Sequence, residues 1–284
     1  MPAPNRPALS AHLYTEEYFR EACEGFDEFN ETNGARLSRR LQAAFAVAQV
    51  TPGMRVLDVG CGRGEILRHC AALGAAAFGV DYAPVAVELS RHVIDGSAAA
   101  PAGVAQSDAK RLPFPSSSCD RVLMFDVVEH LYPWEMKAAF DEVRRVLHAD
   151  GLFVLHTAPN AWYDRFAYPL VRAMRRIGGT HYPANPRALN TPANVEVHVN
   201  EQSALSLWRA LRAAGFGSRV WLESPPQNRR ERAPLAMLRH MSFRYMNCRT
   251  TPTPPAWIFA RVAFARIGSL RMLSAEISKN SKDI

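Results

Sequence analysis

Residues 54–67 read M-R-V-L-D-V-G-C-G-R-G-E-I-L, and no other stretch of the 284-residue chain constrains its fold as tightly. Val56, Leu57 and Val59 form a short apolar run, the pattern of a parallel strand covered on both faces. Asp58 interrupts that run, and a carboxylate in a buried strand is costly unless a partner meets it. Gly60, Gly62 and Gly64 then allow a tight turn and close approach of a ligand to the main chain. Glu65-Ile66-Leu67 opens a helical pattern whose first amides are unpaired donors, suited to a carboxylate or a phosphate. The spacing is G-x-G-x-G and not the G-x-G-x-x-G of dinucleotide folds. An acid just ahead of the turn would repel a pyrophosphate but suits a ligand that carries an ammonium group.

The rest of the chain continues an alternation of strands and helices. Residues 1–11 are rich in Pro and Ala and are expected to be disordered. Residues 15–29 place Tyr18, Phe19, Cys23, Phe26 and Phe29 at helical spacing, and residues 35–49 read as a second helix. After the glycine turn a helix over 64–73 stops at Gly74, and a short strand over 75–80 leads to Asp81-Tyr82. An acid at the end of a second strand, about twenty residues beyond the glycines, can accept hydrogen bonds from ribose hydroxyls. Tyr82 beside it could stack on a base. A helix follows over 84–92, a weak strand over 103–107 leads to Asp108-Ala109, and a buried strand over 122–125 ends in Phe125. Asp126, Glu129 and His130 then stand at the strand edge where open parallel sheets bind ligands.

Residues 134–147 are amphipathic, and a strand over 152–156 follows. Residues 157–200 make an unusually long connection, in which Trp162, Tyr163, Phe166 and Tyr168 accompany Arg165, Arg172, Arg175 and Arg176. Connections of this length are often functional lids. Such a mixture suits a sugar, an anionic substrate or a lipid headgroup, and equally a helical insertion packed on the sheet. A helix over 200–214 and a strand over 216–222 come next, with residues 259–267 as a candidate antiparallel final strand and 235–245 as a candidate basic amphipathic helix.

Composition bounds the setting. No run of about 18 apolar residues exists, so no transmembrane helix is expected. The N-terminus lacks the apolar core of a secretory signal, and a cytoplasmic protein is expected. Five scattered cysteines without a C-x-x-C pair suggest neither a disulfide framework nor a zinc site. Cys61 reads as a small filler within the turn. Of the net charge of +7, residues 225–284 carry +8, so the body is near neutral. A basic tail can meet an anionic membrane surface, nucleic acid or an acidic substrate, or be a solvated face.

The glycine stretch, Asp81, Asp108 and the run L-P-F-P…F-D-V-V-E-H-L together resemble the class I S-adenosylmethionine-dependent methyltransferases, in particular the type 11 and quinone-biosynthesis-like small-molecule enzymes. The resemblance covers about residues 50–222. It implies a Rossmann-like seven-stranded, mostly parallel sheet with helices on both faces, an N-terminal helical cap and a helical lid insertion after strand 5. The expected divisions are a cap over 1–50, a cofactor-binding core over 51–158, a lid over 159–200, and the remainder of the core with a basic segment over 201–284.

The cofactor implied is S-adenosylmethionine, which carries an ammonium and a carboxylate but no phosphate. Asp58, Gly60, Cys61, Gly62, Gly64, Asp81, Tyr82, Asp108, Ala109 and Phe125 are the residues expected to hold it, Asp108 toward the adenine amino group on the strength of the resemblance. The reaction implied is methyl transfer to a small-molecule or glycan-like acceptor. If the acceptor is a hydroxyl, a general base helps, and His198, His130 and Glu129 are the candidates, with Asp126 and His156 behind them. No metal-ligand cluster is evident, so metal independence is expected. A peripheral-membrane enzyme with a lipid-linked or quinone substrate is the alternative. A nucleic-acid methyltransferase is disfavoured because the fourth strand ends in F-D-V-V and not in an N/D-P-P-Y/F type signature. A non-catalytic cofactor-binding module stays open, as does the oligomeric state.

Overall fold

The computed structural model describes residues 7–95, 100–158, 161–223 and 245–251. A single sheet runs in the order β3-β2-β1-β4-β5-β7-β6. Its parallel part has five strands: β1 (Arg55–Val59), β2 (Ala76–Asp81), β3 (Ala102–Gln106), β4 (Cys119–Phe125) and β5 (Leu147–Thr157). The sheet is extended by β6 (Gly217–Glu223) and β7 (Tyr245–Thr251), and both pairings of β7 are antiparallel. The parallel portion is therefore five strands wide and not wider. The antiparallel strand beside β5 is 245–251. The candidate 259–267 lies outside the described residues, as do 235–244, and Tyr245 begins a strand instead of ending a helix.

Helices fill three of the four parallel crossovers: α3 (Glu65–Ala72), α4 (Pro84–Ile94) and α5 (Pro133–Val146), while a loop joins β3 to β4. The alternation of strand side chains splits the apolar residues between two faces. Leu57, Met124, Phe140, Phe153 and Leu207 pack on one side. Val56, Leu67, Leu123, Val154 and Ala44 pack on the other. Both faces are apolar because helices cover both, which is why the strands read as near-continuous hydrophobic runs.

Ahead of the sheet lie a five-residue π-helix (Tyr18–Ala22), α1 (Phe26–Thr32) and α2 (Arg39–Val47). The single helix expected over 15–29 is broken, because Cys23 is extended and Gly25 takes φ +76°. A side chain at Gly25 would meet Ser38 Cβ at 3.3 Å, so the chain turns where α1 and α2 approach each other. Residues 7–11, expected to be disordered, are placed: the Pro7 carbonyl accepts the Trp134 indole N–H, and Ser10 caps a 3-10 turn over Ala11–Leu13. Residues 1–6 lie outside the described residues.

After β5 the long connection contains a π-helix (Tyr163–Ala167), α6 (Tyr168–Ile177), a 3-10 turn (Pro186–Leu189) and α7 (Pro192–Val197). It returns to α8 (Ala204–Ala213), whose Ser203 cap accepts the Ser206 amide. Among the described residues no helix is long and apolar enough to cross a membrane.

Candidate active site

A cavity of about 750 Å³ opens at the C-terminal ends of β1 and β4. The strand order reverses between these two strands, which is where open α/β sheets leave a ligand crevice. One part of its wall comes from the glycine turn. Gly60 and Gly62 hold φ of +75° and +51°, conformations that favour glycine. The Gly60 and Cys61 amides donate to the Val80 carbonyl at 2.8 and 3.1 Å, which ties the turn to β2. Asp81 Oδ2 accepts the Gly62 amide and Oδ1 the Ala83 amide, both at 2.9 Å. Burial raises the Asp81 carboxyl, against the pull of these amides.

Asp58 is 3% exposed and accepts no hydrogen bond from any described protein group. Burial, with Glu65 and Asp81 nearby, pushes its carboxyl up to about 8. It is a buried acid in want of a cationic donor, and the amides at the head of α3 beside it can take a carboxylate. An amino-acid end with an ammonium and a carboxylate fits this pair of needs. Tyr82, Asp108, Ala109 and Phe125 also line the cavity. Asp108 is engaged by Lys110, whose Nζ sits 2.8 Å from Oδ2 and 2.6 Å from Glu135 Oε1. Gly64 differs from the other expected residues. It lies off the cavity wall, and a Cβ there would stand 2.9 Å from Ser90 Cα. Its bare backbone serves the close packing of α3 on α4.

Another part of the wall carries Glu129, His130 and His198. The two imidazoles pack edge to face with centroids 5.0 Å apart, and Tyr14 lies 5.8 Å from His130. The Nδ1 atoms of both rings are buried without a hydrogen-bond partner. Burial, helped by His198, pushes His130 down to about 3. Burial also pushes His198 down to about 4, with Arg187 and Arg40 adding to it against the opposite pull of Asp126. Both rings are neutral at physiological pH.

Glu129 does not hydrogen-bond His130, as it would to orient or charge the ring. Its carboxyl accepts Thr157 Oγ1 at 2.8 Å and the Ala158 amide at 3.4 Å, and its carbonyl accepts the Val199 and Asn200 amides. It therefore pins the returning connection that carries His198, and burial raises its carboxyl. The ligand atoms of Glu129, His130 and His198 all lie within 4.8 Å of one another, so the three could hold an ion.

Asp126 takes φ +55° at the end of β4, held by Arg40 Nη2 at 2.6 Å and His156 Nδ1 at 2.9 Å. Burial alone would raise its carboxyl, but Arg40 and His156 hold it well below the usual carboxylate range. It stays ionised and is a poor proton acceptor. His156, 1% exposed, sits behind it and outside the cavity wall.

The N-terminal residues Tyr14, Tyr18, Phe19, Glu24 and Arg40 line the cavity, as do Tyr163 and Tyr168 of the long connection. Arg63, inside the glycine turn and 3% exposed, ties the first group down. It donates to the carbonyls of Phe19 (2.8 Å) and Glu24 (2.5 Å), pairs with Glu65 at 2.6 Å, and lies 4.8 Å over the Phe29 ring. An arginine within a buried turn signals that acceptors must surround it. Two of those acceptors, the Phe19 and Glu24 carbonyls, come from 44 and 39 positions away, which spacing alone does not reveal.

The fold and crevice define a Rossmann-like, methyltransferase-type α/β domain. A family model described as a methyltransferase domain matches residues 57–155, and the chain is similar there to S-adenosylmethionine-dependent methyltransferases. The ubiquinone/menaquinone biosynthesis C-methyltransferase of Bordetella avium is 31% identical over 164 residues, covering 55% of this chain and 60% of that protein. The cyclopropane-fatty-acyl-phospholipid synthase of Escherichia coli is 26% identical over 146 residues, covering 48% and 37%. The chain spans from 35% to 60% of the length of the curated relatives it matches. An S-adenosylmethionine-dependent methyltransferase from Mesorhizobium loti superposes with a TM-score of 0.54 at 17% identity, over 75% of this chain and 98% of its own. The PH0226 protein of Pyrococcus horikoshii does so with 0.54 at 17%, over 84% and 100%. At such identities the likeness is one of fold.

Proposed function

We propose that this chain is an S-adenosylmethionine-dependent methyltransferase that methylates a hydroxyl of a small-molecule or glycan-like acceptor. In this reading residues 1–50 cap the site, 51–158 bind the cofactor, 159–200 form a lid, and 201–284 complete the core and carry the basic segment. The observation that carries it is the unpartnered buried Asp58 sharing one cavity with the neutral pair His130 and His198.

Asp58 would hold the cofactor's ammonium, the first amides of α3 its carboxylate, and Asp81 its ribose hydroxyls. Tyr82 and Phe125 would flank the adenine, with Asp108 and Ala109 at its edge. The bound cofactor supplies a methyl group activated by a sulfonium. The chain's own part is to orient and to move one proton. His198, held by the segment that Glu129 pins, accepts the hydroxyl proton of the acceptor. His130 and Tyr14 shape the pocket beside it. With a histidine pushed down to about 4 the proton transfer has modest driving force. Placement of the acceptor oxygen in line with the methyl group therefore carries more of the acceleration, and oriented reactants can remove about 7–11 kcal/mol of barrier.

Titration calorimetry with S-adenosylhomocysteine tests the reading. Saturable binding in the micromolar range, lost in Asp58→Asn, is expected. An absence of binding at millimolar concentration would sink it.

A further inference from the structure

Helix α6 leaves most of its apolar side chains in solvent. The side it turns to the protein is narrow and centred on Tyr168 and Val171. Tyr168 OH donates to the Pro183 carbonyl at 2.7 Å, Arg172 Nε donates to the Tyr182 carbonyl at 3.1 Å, and Arg175 lies 5.8 Å from the Tyr182 ring centroid. Only Tyr168 and Val171 of this helix are buried. Its other apolar side chains face solvent: Leu170 is 47% exposed, Met174 41% and Ile177 88%, and Phe166 just before the helix is 66% exposed. Their steps of four, four and three residues put all four on one stripe. A surface helix ordinarily buries that stripe and wets the other.

The charge around the stripe has one sign. Arg165, Arg172, Arg175 and Arg176 lie on or beside the helix, and no Asp or Glu occurs between Arg165 and Glu196. A protein partner would need a groove shaped for four bulky side chains together with acids to match. A fluid anionic bilayer meets both needs, since it takes apolar side chains of any shape and presents phosphates beside them.

We propose that α6 is an interfacial helix that lies in the headgroup region of an anionic lipid bilayer. The stripe of Phe166, Leu170, Met174 and Ile177 inserts, and Arg165 and Arg176 meet lipid phosphates. Tyr163 and Tyr168, on the same segment, belong to the cavity wall. Docking thus brings the cavity to the membrane surface, where a lipid or lipid-linked acceptor is available. Only this statement about the acceptor rests on the methyltransferase reading; the docking does not.

The test is co-sedimentation of the full chain with phosphatidylglycerol/phosphatidylcholine vesicles, with S-adenosylhomocysteine binding measured in parallel. Expected is binding at low salt that weakens as salt rises. Ile177→Asp and Leu170→Asp should each lower the partition about tenfold or more. The pair Arg165→Glu with Arg176→Glu should lower it at least about tenfold. Leu205→Asp, an exposed apolar position on α8 away from the stripe, should leave it unchanged. Absence of vesicle binding at low salt overturns the proposal. So does binding that the α6 variants leave intact, which would assign it to another surface such as the basic residues 225–284. A drop of solution mass from dimer to monomer in Ile177→Asp, without vesicle binding, would make the stripe a contact between two copies and overturn it equally. Intact cofactor binding in any of these cases leaves the methyltransferase reading standing.

Discussion

The two sides of the cavity are made by different means. The side assigned to the cofactor is centred on one piece of chain, a strand, a glycine turn and a helix, to which the ends of β2, β3 and β4 add Asp81, Tyr82, Asp108 and Phe125, and its polar recognition groups are backbone amides and carboxylates at or near strand ends. The side assigned to the acceptor is assembled from side chains far apart in sequence: Tyr14, Tyr18, Arg40, Glu129, His130, Tyr163 and His198. A backbone-built site can change little without losing the fold. A side-chain-built site can be refitted to a new acceptor one residue at a time. The difference teaches where a substitution should cost ligand binding and where it should cost stability.

The largest effect should come at Asp58. Asp58→Asn keeps the shape and removes the charge that an ammonium requires, and losing one partner of a buried charge pair costs about 2–5 kcal/mol. S-adenosylhomocysteine should bind about 100-fold more weakly by calorimetry, while a loss below about threefold would mean that no ammonium sits there. Stability should move the opposite way. The folded carboxyl is raised to about 8 from 3.8, so its contribution is present at low pH and is lost as pH rises through about 8. The ligand-free Asp58→Asn protein should therefore unfold at higher temperature than the parent above pH 8, with the difference shrinking toward pH 4.

Gly64 sharpens the contrast from within the same turn. Its φ of +85°, and the 2.9 Å that would separate an alanine Cβ from Ser90 Cα, make Gly64→Ala a strain on fold and not on ligand. Urea unfolding should show a loss of about 2–3 kcal/mol. The protein that remains folded should bind S-adenosylhomocysteine within about threefold of the parent. Weak binding by a stable Gly64→Ala protein would put Gly64 back among the cofactor contacts.

The acceptor side should announce itself in acid. His130 and His198 are lowered to about 3 and about 4 from 6.5, so each favours folding above its unfolded value and loses that support as pH falls. Between about pH 6.5 and pH 5 each ring should cost about 1–2 kcal/mol of stability. Denaturant midpoints across that window check this, and His130→Phe should flatten about half of the slope. An unchanged slope would place the titration elsewhere.

What is legible in the sequence follows the same division. The glycine turn, Asp58, Asp81 and the strand run ending at Phe125 are local patterns, so their place at the crevice can be read from spacing alone. Arg40 cannot be read that way, because its partner Asp126 is 86 residues away and nothing in the A-R-L-S-R-R-L run marks it. The break at Gly25 is hidden because the aromatic spacing of 15–29 fits one helix, whereas packing of α1 against Ser38 and Leu41 demands a turn. Glu129 misleads for a related reason. Its neighbour His130 suggests a pair, yet no hydrogen bond joins the two, and the Glu129 carboxyl accepts Thr157 Oγ1 on β5 instead.

The smallest effect expected is none at all. Glu129, His130 and His198 have the composition of a transition-metal site, since two imidazoles and a carboxylate suit zinc or iron. The details favour a proton-handling pocket. Both oxygens of Glu129 already accept hydrogen bonds, and burial raises its carboxyl, so the one anionic ligand tends toward its protonated form. The imidazoles pack edge to face on each other, and His130 packs likewise on Tyr14, an arrangement that aromatic contact accounts for by itself. Dialysis against a chelator should then leave turnover and S-adenosylhomocysteine affinity unchanged, whereas His198→Ala should lower kcat more than it changes the cofactor's Kd. Loss of turnover on chelation, restored by zinc or iron and matched by visible absorption bands after cobalt substitution, would make these three residues ligands. The acceptor side would then be defined by an ion and not by a free imidazole, and its division of labour with Asp58 would need to be redrawn around that charge.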